Sequence, residues 1–146
     1  CDVGRRMVLT DAHGRAHYFA RRAVLCVGTY SLYMDPLPAR CEPCEGGIPP
    51  LNEEQAQERA ALVPGWTLRD GKISRSFELK DFRSALAWVN RVGMLAEEQG
   101  HHPDFHITGW NRVEFVLFTH AIQGLSDNDF VLAKAIDELA VKDGRS

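Results

Sequence analysis

The tightest constraint on the fold is one apolar stripe near the middle of the chain. Phe82, Ala85, Leu86, Val89, Val92, Gly93 and Ala96 recur at i, i+3, i+4, i+7, i+10, i+11 and i+14, a spacing that lines one side of an α-helix. Such a helix has to lay that side on something apolar. Gly100 is placed to end it in the left-handed conformation of a C-terminal cap. On both sides of this helix the pattern changes to alternation. Before it, residues 66–69 and 72–77 flank Asp70-Gly71, a two-residue hairpin signal. After it, residues 105–110 and 112–120 read as strands joined near Asn111. The second of these carries Val113, Phe115 and Leu117 on one face and Glu114, Val116, Phe118 and His120 on the other.

Two further helices bracket these elements. Asn52 is an N-cap, with Glu53, Glu54 and Gln55 in the first turn, where acidic charge suits the dipole, and Pro64-Gly65 stops that helix. Ser126-Asp127-Asn128-Asp129 opens the last helix as a capping box with Asp for the usual Glu, and Leu132, Ala133, Ile136, Leu139 and Ala140 face inward. The order is α-β-β-α-β-β-α. Two hairpins separated by a helix form an antiparallel sheet with helices packed on one face, an α+β domain. At 146 residues, 45% hydrophobic and 25% charged, the chain suffices for one such domain with its own core.

Residues 1–40 read differently and show no sustained period. They carry Arg5, Arg6, Arg15, Arg21 and Arg22 against Asp2, Asp11 and Asp35. We expect a poorly ordered N-terminal extension over 1–40 and the domain over 41–146. The short run Ala23-Val24-Leu25-Cys26-Val27 faintly resembles a targeting sequence but no convincing cleavage site follows it. The expected location is cytoplasmic, with organellar targeting by residues 1–33 as the variant, and Met34-Asp35-Pro36 makes a natural start for a compact domain. No apolar run approaches the roughly 18 residues that span a bilayer. A net charge of -3 gives no electrostatic reason to expect nucleic acid or an anionic membrane as a partner. Of Cys1, Cys26, Cys41 and Cys44, the last two form a single CxxC. That is half a zinc site or a redox pair at most, so reduced thiols in a loop are expected.

The chemistry gathers in Glu97-Glu98-Gln99-Gly100-His101-His102-Pro103, with His120 and Asp129 beyond it. Imidazole is the side chain that gives or takes a proton near neutrality. His102 precedes a proline and is biased to extended geometry, where successive side chains point opposite ways. One of the two adjacent histidines then faces a pocket while the other braces it. Glu97 sits in the last turn of its helix, the wrong end for an acidic residue on dipole grounds, and such a violation marks a functional site more often than chance. His120 stands at a strand end before a loop, a position from which rigid scaffolds present reactive groups. His106 reads as a surface residue, and His13 and His17 lie in the extension. Adjacent histidines do not readily share one ion, so acid–base chemistry outranks a metal site.

These residues carry a resemblance. An acidic residue, then His-His-Pro, an aromatic, a further His and an Asp is similar to the signature of the pterin-4a-carbinolamine dehydratases. Here these are Glu97, His101-His102-Pro103, Trp110, His120 and Asp129. Thr119-His120 before Gly124-Leu125-Ser126, and the run from Cys41 to Leu51, also resemble that family. Six residues rather than five separate Pro103 from the aromatic, and Trp110 stands where Tyr is frequent. The resemblance covers about residues 41–141 and implies a four-stranded antiparallel sheet with helices on one face. It also implies loss of water from 4a-hydroxytetrahydropterin in tetrahydropterin recycling, without metal or organic cofactor. It points to His101 and His120 as acid–base groups, to His102 as the pterin-orienting group, and to Glu97, Pro103, Trp110 and Asp129 as supporting or binding residues. It further implies a homodimer or homotetramer built through sheet edges and helices. The alternative from another class is a binding module, a transcription coactivator or assembly factor on the same fold.

Overall fold

The computed structural model describes residues 9–10, 16–17, 37–42 and 49–144. The chain divides into two compact units, residues 1–35 and 36–146. In the first, β1 (Leu9–Thr10) pairs antiparallel with β2 (Ala16–His17). Most of the expected extension, along with the Gly46-Gly47-Ile48 loop and Cys1, Cys26 and Cys44, lies outside the described residues. Leu37 is buried in the core of the second unit.

The second unit begins with α1 (Glu53–Ala60), where Asn52 Oδ1 accepts from the Gln55 N–H at 2.9 Å and the Gln55 side chain accepts from the Asn52 N–H at 3.0 Å. Next comes the hairpin of β3 (Thr67–Arg69) and β4 (Lys72–Glu78). Its turn residues Asp70 and Gly71 both have positive φ, 51° and 70°, as a two-residue hairpin turn requires. Helix α2 (Phe82–Gln99) is capped by Asp81, whose carboxylate accepts from the Ser84 N–H at 2.7 Å. Hydrogen bonds from the Ser84 side chain and backbone hold the Asp81 carboxyl below its ordinary value. The hairpin of β5 (Asp104–Thr108) and β6 (Arg112–Leu117) follows, and α3 (Asp127–Lys142) closes the unit.

The sheet order is β3-β4-β6-β5, every pair antiparallel. The expected four-stranded α+β architecture and element order hold. The second hairpin thus folds back so that β6 sits centrally and β5 lies at an edge. Register on the helix-covered face is set by apolar pairs: Ile73 lies opposite Leu117 and Phe77 opposite Val113. A one-residue slip would turn this whole set outward. Phe77 packs edge-on against Trp88 and Phe115, with centroids 5.3 and 6.1 Å apart.

Two readings need correction. The buried line of α2 is Ala85, Trp88, Val92 and Ala96, while Phe82 and Leu86 are exposed. The stripe is wider than the contact, and the large indole, absent from the pattern, takes the central place. The last expected strand also stops early. It ends at Leu117, Thr119 bridges to Gly124, and His120–Ile122 forms a turn of 3-10 helix. His120 therefore opens a turn rather than ending a strand.

That turn is locked from outside. Leu51 N–H donates to Leu125 O at 2.8 Å, which lays Pro50 against Gly124, and a Cβ at Gly124 would stand 2.4 Å from Pro50 Cβ. Gly124→Ala is expected to cost about 1–3 kcal/mol by overpacking, read as a lower urea midpoint at unchanged slope; an unchanged midpoint would refute the tight contact. Asp81 gives a second expectation. A lowered folded pKa means a contribution present above the unfolded carboxyl value and lost as pH falls through the folded one. The stability advantage of wild type over Asp81→Asn at neutral pH should therefore shrink on acidification, as thermal melts across pH will show.

Candidate active site

The end of α2 sets the first two imidazoles. Gly100 adopts φ 65°, and its N–H donates to Glu97 O at 3.2 Å while the His101 N–H donates to Ala96 O at 3.1 Å. This closing motif turns the chain sharply and leaves His101-His102-Pro103 leading into β5. The two neighbours then part. His101 is buried and its Nε2 lies 2.8 Å from Asp129 Oδ1. His102 points to solvent, its Nε2 2.9 Å from Glu97 Oε2, with the two side chains 64% and 81% exposed.

Asp129 itself is fully buried. Its Oδ2 accepts from the Ser126 N–H at 2.8 Å and from the Thr119 hydroxyl at 2.7 Å. Since Thr119 donates there, the Ser126 hydroxyl, 2.9 Å away, donates to Thr119 Oγ1. One carboxylate thus ties the end of α2, the segment after β6 and the first turn of α3. As a carboxylate it only accepts, so His101 Nε2 carries the hydrogen.

His120 stands on the far side of this knot. Its Nε2 is 3.8 Å from Asp104 Oδ2, its side chain is 66% exposed, and its ring meets Phe118 edge-on at 5.2 Å. Because Asp104 pairs with Val116, the start of β5 and the end of β6 lie at one end of the sheet, which brings His102 and His120 there together. Each of the three imidazoles accordingly has its own carboxylate. Sequence reasoning missed Asp104, Thr119 and Ser126. Asp104 was findable, since a hairpin centred near Asn111 sets the residue after Pro103 beside the end of the next strand.

Trp110 is not brought to this end. It caps the far tip of the β5–β6 hairpin, beyond about 13 Å of strand from Asp104 to Thr108. His106 is exposed on β5, facing Glu114 across the ladder. A groove of about 560 Å³ between α1, the β3–β4 turn and residues 118–125 is lined by Leu51, Leu68, Phe118 and Leu125, with none of the histidines among its walls. Among the described residues no group of three or more His, Cys, Asp or Glu is placed to hold a metal, and no helix is long and apolar enough to cross a membrane.

A single antiparallel sheet under three helices, with a buried His–Asp pair and two solvent-facing His–carboxylate pairs at one sheet end, defines a small α+β domain built for proton transfer. Residues 49–139 match the family described as pterin 4 alpha carbinolamine dehydratase, and the chain belongs to that family. A Rubrobacter xylanophilus protein provisionally named pterin-4-alpha-carbinolamine dehydratase is 51% identical over 100 residues, 68% of this chain and 92% of that one. Arabidopsis thaliana pterin-4-alpha-carbinolamine dehydratase 2, mitochondrial, is 42% identical over 109 residues, 71% of this chain and 58% of its own length. Among solved structures, a transcriptional coactivator/pterin dehydratase from Brucella melitensis superposes with a TM-score of 0.57 at 31% identity, covering 62% of this chain and 98% of that one.

Asp129→Asn keeps the shape of the knot but carries one amide NH2. With its oxygen held on the Ser126 N–H and the Thr119 hydroxyl, the NH2 faces His101 Nε2, which must then accept. The variant is expected to fold with a loss of about 1–3 kcal/mol and to move the ring hydrogen of His101 to Nδ1. Imidazole nitrogen chemical shifts report this directly, and a hydrogen retained on Nε2 would refute it.

Proposed function

We propose that the protein dehydrates 4a-hydroxytetrahydropterin to quinonoid dihydropterin and so serves tetrahydropterin recycling. The observation that carries the reading is the pair of solvent-facing imidazoles, His102 and His120, each beside a carboxylate at one end of β5–β6, in a chain of this family. The reaction breaks the bond between C4a and the hydroxyl oxygen, which leaves as water after taking a proton. N5 gives up its proton, and the electron pair of that N–H bond becomes the new C=N bond. Both transfers suit imidazole near neutral pH, and neither needs a metal or organic cofactor.

Burial divides the labour among the histidines. His102 and His120 are open to a substrate and move the two protons. His101, with Nε2 committed to Asp129, is the positioning residue that sets the backbone from which His102 projects. Glu97 and Asp104 orient the exposed rings, and Pro103 keeps the chain extended between them. The free edge of β5 and the exposed Phe82, Leu86 and Met94 of α2 suit self-association into a homodimer or homotetramer. That same helix face, and the coactivator named in the Brucella title, favour a protein-binding role as the second reading.

Spectrophotometric loss of 4a-hydroxytetrahydropterin tests this. His102→Ala and His120→Ala should each lower kcat by about 10²–10⁴-fold while leaving the fold intact. His101→Ala should lower stability as well as rate. Wild-type rates in both of the first two variants would overturn the catalytic reading. A wild-type protein that turns over no substrate yet binds a protein partner would favour the second.

A further inference from the structure

We infer that Trp110 serves the active site of a second copy of this chain, delivered across an antiparallel pairing of β5 with the partner's β5. The inference rests on the dehydratase reading for its chemistry, and on the hairpin alone for its geometry. Within its own chain Trp110 stands at the hairpin tip, remote from the three histidines. It is 61% exposed and holds φ 68°, a left-handed backbone that costs a non-glycine residue roughly 1–2 kcal/mol. A strained, solvent-facing indole does nothing for the core that would offset this, and strain of this kind concentrates at functional positions.

The strand leading to it has an open side. Among the described residues only β6 pairs with β5, so its outer edge presents unpaired N–H and C=O groups. Edges are commonly guarded by proline, lysine, bulges or brevity, and Asp104–Thr108 has none of these within it. The opposite edge, β3, is three residues long and runs into the charged turn Arg69-Asp70.

Self-pairing of β5 has one complete solution. About a two-fold axis, only the register centred on His106 matches all five residues. It sets Asp104 against the partner's Thr108 and Phe105 against the partner's Ile107. Phe105, 51% exposed in the single chain, then gains an apolar cross-strand neighbour. Two residues further, Trp110 falls opposite the partner's His102, and symmetry makes the exchange reciprocal. The site gains what one chain lacks. His102 and His120 are 64% and 66% exposed; an indole arriving beside them excludes water and offers a flat face on which a planar pterin ring stacks.

Two experiments decide it. The first needs no activity: His102→Cys chains are mixed with Trp110→Cys chains, each with its four native cysteines replaced by serine. Facing residues of an antiparallel pair lie about 4.5–5.5 Å apart at Cα, within disulfide reach. Mild oxidation should give a covalent dimer in the mixture and none from either chain alone; no cross-link in the mixture overturns the pairing. The second joins Trp110→Gly, whose glycine accepts the positive φ, with His120→Ala in differently tagged, purified heterodimers. Each variant alone should be impaired. The heterodimer should recover about half of wild-type activity, because one of its two sites holds both intact groups. No recovery means that Trp110 acts within its own chain, or not at all, and overturns the inference. If wild type shows no turnover, the dehydratase reading fails while the cross-link still decides the geometry.

Discussion

A carboxylate with no exposure to water organises this domain. Burying Asp129 without partners would cost several kcal/mol, so the fold is obliged to bring donors to it. It does so from three segments far apart in sequence: His101 after α2, Thr119 after β6, and Ser126 at the start of α3. The preceding residue repeats the tactic on the other side. Asn128 accepts from the Glu42 N–H at 2.9 Å and donates to Glu42 O at 2.7 Å, imitating a strand partner for the segment at residues 41–42. The first turn of α3 is therefore a junction. Its polar side chains fix where the end of α2 sits relative to the end of β6, and that relation places His102 and His120 at one end of the sheet.

Much of this was legible because the signals were local. Asn52, Asp70-Gly71 and Gly100 each specify a backbone conformation through their own chemistry, and each is found in that role. The alternation in β4 and β6 fixed which residues face the helices. The misjudged features depended on tertiary packing instead. Periodicity alone ranks Phe82, Leu86 and Trp88 alike, and only the shape of the sheet selects the indole for the centre. Where β6 ends is likewise set by the Thr119–Gly124 bridge, whose partner lies across a turn that alternation cannot register. For the site, the identity of the three histidines was readable from the His-His-Pro run and its spacing. Their unequal burial was not, since it depends on which of two adjacent side chains meets Asp129.

That inequality carries the chemical argument. His101 and His102 are neighbours with the same intrinsic acidity, and the extended backbone before Pro103 turns them to opposite sides. One enters a dry network in which its tautomer is dictated by a carboxylate. The other stays wet beside Glu97, whose place in the last turn of α2 opposes the helix dipole but suits a partner for His102 at 2.9 Å. A buried, fully bonded imidazole is a poor proton shuttle, because each change of charge would have to be met by rearranging Thr119 and Ser126. An exposed one beside a carboxylate can change charge at little structural cost. The division explains why a rigid histidine and a free one occur in tandem: the first holds the backbone still so that the second can react from a defined place. What a single chain leaves wanting is shelter from water around His102 and His120, and the only large aromatic side chain at the open β5–β6 tip is one that its own chain does not use.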